Sequence, residues 1–88
     1  MRYEIAELDS ATLAPVNATG EAFFELGMMY AAGRSVPADL VLAHKWFNLA
    51  ALRGNSEAPR LRREIAEEMS AAEIAAAQRA ARDWLTTH

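Results

Sequence analysis

The chain has 88 residues, with nine basic and twelve acidic side chains and a formal net charge of -3. This length suits one small domain and leaves no room for a second. The absence of cysteine excludes disulfides and thiol catalysis, and the mixed charges form no basic stripe of the kind that binds nucleic acid. Good helix formers dominate over β-branched residues, which favours an all-α fold.

Residues 1–18 form the least regular part of the sequence. Tyr3 and Ile5 alternate with charged residues as in a strand, whereas Ile5 and Leu8 are also spaced for a short helix. Pro15 ends either element. We expect an N-terminal arm over residues 1–18 and one helical domain over residues 19–88.

The opening residues contain acids and lack an apolar run of signal-peptide length. Charged residues, among them Glu21 and Arg34, also interrupt the most apolar region, so no stretch is long enough for a transmembrane helix. We therefore expect a cytoplasmic protein without a membrane partner.

The first predicted helix runs from about Gly20 to Ala32, with Thr19 as N-cap and Gly33 as a left-handed stop. Its apolar residues fall on two faces. One face comprises Ala22, Leu26, Met29 and Tyr30, and the opposite face comprises Phe24, Gly27, Met28 and Ala31.

The second predicted helix follows Asp39, its expected N-cap, and ends near Arg53 before Gly54 and Asn55. Its apolar arc covers more than half of the circumference. This arc comprises Leu42, Ala43, Trp46, Phe47, Leu49 and Ala50, and the remaining polar strip comprises His44, Lys45 and Asn48. Such a helix needs neighbours on several sides.

The third and fourth predicted helices are apolar on one face only. The third runs from about Glu57 to Met69, and the fourth begins at the capping box formed by Ser70 and Glu73. Two doubly apolar helices followed by two singly apolar ones predict an inner hairpin covered by an outer one. The expected fold is therefore two stacked antiparallel helical hairpins, with about four helices plus the N-terminal arm.

The spacing of small and aromatic residues over residues 21–58 resembles the Sel1-like repeat, a relative of the tetratricopeptide repeat. The matching positions are Ala22, Leu26, Gly27, Tyr30, Gly33, Asp39, Ala43, Trp46, Ala50, Gly54 and Ala58. The second unit departs from the pattern, because Arg63 and Arg82 stand where Gly27 and Trp46 would recur. The resemblance implies a bacterial helical-repeat protein in which residues 57–86 form a degenerate capping hairpin.

Polar side chains give little support for an enzyme. His44 is one of two histidines, and we expect it to face solvent or an interface. A zinc site lacks ligands of suitable type and spacing, and the acids Glu64, Glu67 and Glu68 alternate with arginines as on a solvated helix face. The sequence therefore predicts neither catalytic residues, nor a metal site, nor a cofactor.

The sequence leaves three functions open, and the resemblance implies the first: a protein–protein interaction module, either adaptor or scaffold. It would bind a partner helix or peptide through an apolar helix face. The expected partner-binding residues are Phe24, Met28, Ala31, Leu42 and Leu49. The alternative is a self-associating structural protein, a homodimer that buries the same face, and an enzyme is the third and least supported possibility.

Overall fold

The computed structural model describes residues 19–87, so the predicted arm over residues 1–18 lies outside the described residues. The described chain forms four α-helices and no strand. These are α1 (Gly20–Ala32), α2 (Leu40–Leu52), α3 (Ala58–Ala66) and α4 (Ala71–Thr87). The predicted all-α class is confirmed.

Both ends of α1 are set by the residues that the sequence indicates. The Oγ1 of Thr19 accepts a hydrogen bond from the Ala22 N–H at 3.2 Å, which satisfies one of the free donors of the first turn. At the other end Gly33 adopts the left-handed conformation (φ 73°). Its N–H and that of Arg34 both donate to the Met29 carbonyl, which closes the helix.

Helix α2 is bounded in the same way. The Oδ1 of Asp39 accepts from the Leu42 N–H at 3.1 Å, as an N-cap does. After Arg53, Gly54 has φ 90°, a backbone conformation that residues with a Cβ rarely adopt. The Asn55 N–H then donates to the Ala50 carbonyl and turns the chain towards α3.

Helix α3 is shorter than predicted. It ends at Ala66, and residues 67–69 form a turn in which each N–H donates to the carbonyl three residues earlier. Such tightened hydrogen bonds are common at helix ends, and here they bring the chain to Ser70. The capping box is confirmed: Ser70 N–H donates to Glu73 Oε1 at 2.8 Å, and Glu73 N–H donates to Ser70 Oγ at 3.0 Å.

Helix α2 is the centre of the described fold, because it packs against α1, α3 and α4. Contact with three neighbours explains why its apolar arc is so broad. The last two helices dock on α2 separately and contact each other much less. The second helical pair is therefore held together mainly through α2.

An aromatic cluster joins α1, α2 and α4. The rings of Phe23 and Trp46 stack with centroids 5.4 Å apart. Trp84 meets both rings edge-on, at 5.2 Å from Phe23 and 5.7 Å from Trp46. Edge-to-face contacts of this kind add to the stabilisation that comes from burial alone.

The buried stripe of α1 differs from the predicted apolar face that includes Ala22. Ala22 is exposed, and its neighbour Phe23 is fully buried instead. The buried residues Phe23, Leu26, Gly27 and Tyr30 follow the spacing of a single helix stripe. Ala22 lies about 100° away from Phe23 around the axis and so falls outside that stripe.

Candidate partner-binding surface

The apolar face, which we define as Phe24, Met28 and Ala31, lies along α1 beside the core stripe. Residues at these spacings share one side of a helix. All three are partly buried and pack against the core at its margin. Glu21 and Glu25 are exposed on the same helix. The face thus combines half-covered apolar side chains with nearby acidic groups.

Phe24 is positioned by a contact with α2. Its ring centroid lies 5.6 Å from that of Phe47, whose ring is buried between the helices. The same Phe47 ring packs on the backbone of α1 at Gly27, where an added Cβ would lie 2.5 Å from two ring carbons. Glycine at this position therefore lets Phe47 reach α1 and support Phe24.

The other two residues predicted for this surface lie elsewhere. Leu42 and Leu49 are separated from Phe47 by about 140° and about 160° around the axis of α2, at about 100° per residue. Leu42 is partly buried against the core, and Leu49 is only 1 % exposed. The structure therefore brings Phe24, Met28 and Ala31 together but does not add Leu42 or Leu49 to them.

Most residues of the repeat-like pattern lie either in the core or at the ends of helices. Those buried in the core are Leu26, Gly27, Tyr30, Ala43, Trp46, Ala50 and Ala58. Gly33 and Gly54 both have positive φ, and Asp39 caps α2. Ala22 is the exception noted above.

A polar cluster lies between α2 and α3, on the predicted polar strip of α2. His44 is 3 % exposed, and its Nδ1 finds no hydrogen-bond partner among the described residues. One turn further on, Asn48 Oδ1 accepts from Nη1 of Arg62 on α3 at 2.9 Å. Burial lowers the pKa of the His44 imidazole below its ordinary value, and the positive charge of Arg62 lowers it further.

Of the two settings expected for His44, solvent or an interface, its burial excludes solvent, and Lys45 on the same predicted polar strip is buried as well. Lys45 is 8 % exposed, with its Nζ 4.5 Å from the centroid of the Trp46 ring. A lysine can bury its aliphatic stem in this way while its charge lies over an aromatic face. Because three helices pack around α2, little of its circumference is left for a solvent-exposed strip.

Several residues that position the helices were not recognised from the sequence. Phe47 was assigned to the general apolar arc, although it supports Phe24. Gly20 brings the start of α1 against the end of α2, since an added Cβ would lie 2.9 Å from the Arg53 carbonyl oxygen. Asn55 Oδ1 accepts from the N–H groups of Glu57 and Ala58 at the start of α3, where the N-cap residue Glu57 makes no side-chain cap of its own. An Asn shortly before the helix was the available indication of these hydrogen bonds.

Within residues 19–87, no three His, Cys, Asp or Glu side chains are grouped so that they could hold a metal ion. None of the helices found there has the length and apolar character that crossing a membrane requires.

Comparison with known proteins finds no match: no family model, no curated protein and no solved structure is detectably similar to the chain. The resemblance to the Sel1-like repeat stays a prediction from its residue pattern.

Proposed function

We propose that this chain is a non-enzymatic protein–protein interaction module that binds a partner helix or peptide through the apolar face of Phe24, Met28 and Ala31. The observation that supports it is the partial burial of all three residues at the edge of an otherwise well-filled core. Apolar side chains grouped at a surface are typical of interaction sites. We also propose that the protein acts in the cytoplasm, and the Sel1-like resemblance supports a bacterial origin.

The arrangement suits an amphipathic helix as ligand. Phe24 offers an aromatic anchor whose ring already packs against that of Phe47, so binding would cost little side-chain conformational entropy. Ala31 is small and allows a partner backbone to approach the end of the face. Glu21 and Glu25 would favour basic residues at the border of the ligand.

The test is loss of binding on introduction of a charge at the centre of the face. We expect Phe24→Asp to abolish capture of a partner from native extract, because a carboxylate would be desolvated in the contact. Met28→Glu provides a second variant on the same face. Ala22→Asp is the matched control, since Ala22 is exposed on the same helix and outside the face. Circular dichroism and urea titration establish that each variant folds.

The proposal is supported when the same protein is lost with both face variants and retained with Ala22→Asp. Capture that survives both face variants contradicts it. Light scattering of the pure wild-type protein separates the alternative: a dimer that Phe24→Asp and Met28→Glu dissociate would assign the face to a second copy of the chain. If Phe24→Asp does not fold, Met28→Glu decides the outcome.

A further inference from the structure

The α2–α3 interface contains a histidine in an unusual setting. His44 is almost fully buried, and its Nδ1 is enclosed without a hydrogen-bond partner among residues 19–87. A neutral imidazole tolerates this because it has only one N–H to satisfy. A protonated imidazole has two N–H donors and a charge, both of which are costly to bury.

Arg62 makes this setting less favourable still for a second positive charge. It lies across the interface on α3 and donates to Asn48, one turn along α2 from His44. Its charge already acts against protonation of the imidazole. A protonated His44 would therefore repel the same residue whose hydrogen bond joins α3 to α2.

Charged groups on the other described helices do not offset the cost of protonating His44. The charged residues of α1 and α4 are all exposed, and none of them contributes to the lowering of the His44 pKa. They are Glu21, Glu25, Glu73, Arg79, Arg82 and Asp83. On α3, Arg60 pairs with Glu57 and Glu64 at the surface. On α2 itself, Lys45 lies over the Trp46 ring. No described carboxylate is placed to stabilise a charged imidazole.

We propose that His44 is a pH-sensitive switch of the α2–α3 interface: α3 is held on α2 while the imidazole is neutral and is released when the imidazole is protonated beside Arg62. Release would expose the apolar side of α3, where Leu61 and Ile65 pack against the core. The exposed surface would differ between neutral and mildly acidic conditions.

The direction of the pH effect follows from the lowered pKa. Unfolded or released His44 takes up a proton near the ordinary pKa of 6.5, whereas packed His44 resists protonation until the pH is lower. Stability of the interface is therefore complete above pH 6.5 and is lost as the pH falls towards the lower pKa of the packed state.

The experiment compares hydrogen-exchange protection factors of α3 amides with those of α1 amides at pH 7.5 and pH 5.5. The chain has two histidines, so His88→Gln leaves His44 as the only one, and its imidazole can be followed directly by NMR. We expect protection of α3 to fall by up to about tenfold per pH unit below the ordinary pKa while protection of α1 is retained. The titration should give His44 a pKa below 6.5.

His44→Gln supplies a neutral side chain that does not titrate, so α3 protection should be the same at both pH values. Arg62→Gln removes the opposing charge and should raise the pKa of His44; it serves if His44→Gln does not fold. Protection of α3 that is unchanged in the wild type, or that falls equally in His44→Gln, overturns the proposal. So does an equal fall in α1, or a His44 pKa at or above 6.5.

Discussion

The α1–α2 pair and the α3–α4 pair are specified in different ways. In the first pair the helices meet through buried aromatic rings and through backbones that approach closely at Gly20 and Gly27. The helices of the second pair contact each other much less: both pack on α2, and α4 also meets α1 through Trp84 and Phe23. The first pair is therefore held by its own mutual packing and the second by packing on the first, so substitutions in the two pairs should differ in size and reach.

The largest effect is expected for Trp46→Ala, which removes the central ring of the aromatic cluster. Trp46 is fully buried and contacts both Phe23 and Trp84. We expect a loss of about 3–5 kcal/mol in the free energy of unfolding, measured by urea denaturation. Much of the stability of a small domain would be lost.

Leu61→Ala on α3 is the comparison for that variant, since Leu61 is only partly buried against the core. The loss in the free energy of unfolding should be clearly smaller for Leu61→Ala than for Trp46→Ala. Equal losses would show that packing is as important in the second pair as in the first.

A moderate effect is expected for Gly27→Ala. The added Cβ would meet the Phe47 ring at 2.5 Å. Overpacking of a core costs about 1–3 kcal/mol, which exceeds the about 0.5–1 kcal/mol that alanine contributes within a helix. We expect a net decrease in the urea midpoint of unfolding.

Phe47→Leu in the same chain tests the cause of that decrease. The shorter side chain makes room for the Cβ, so the double variant should lose less stability than the two single losses added together. Strict additivity would mean that the ring of Phe47 is not what excludes a side chain at Gly27.

The smallest effect is expected for Ser70→Ala, which removes half of the capping box of α4. The Glu73 N–H would lose its acceptor at the exposed start of the helix. We expect a loss of about 1 kcal/mol in unfolding free energy, with faster hydrogen exchange confined to the first turn of α4. Ser56→Ala, at an exposed position in the corner between α2 and α3, is the control and should change neither quantity.

The helix ends were largely predictable, because they depend on residues adjacent in sequence. Thr19, Asp39 and Ser70 cap as their residue types indicate, and Gly33 takes the left-handed conformation. The end of α3 was not predicted. A continuous apolar stripe up to Met69 gives no indication that the last turn tightens.

The candidate surface was predictable only in part, for a reason that concerns rotation about the helix axis. Phe24, Met28 and Ala31 share a side of α1 at any rotation of the helix, so their grouping follows from spacing alone. Which side of α2 meets α1 is a tertiary property, and Leu42 and Leu49 therefore could not be excluded beforehand. The burial of His44 was not evident from the sequence, because it depends on how many helices pack around α2.

The aromatic cluster draws one ring from each of α1, α2 and α4, and this limits how the chain can be shortened or extended. A fragment ending at Asn55 would keep Phe23 and Trp46 but lack Trp84, which closes over both. We therefore expect the first hairpin to be unstable without α4. A unit appended after Asn55 would have to supply another side chain that covers the same two rings.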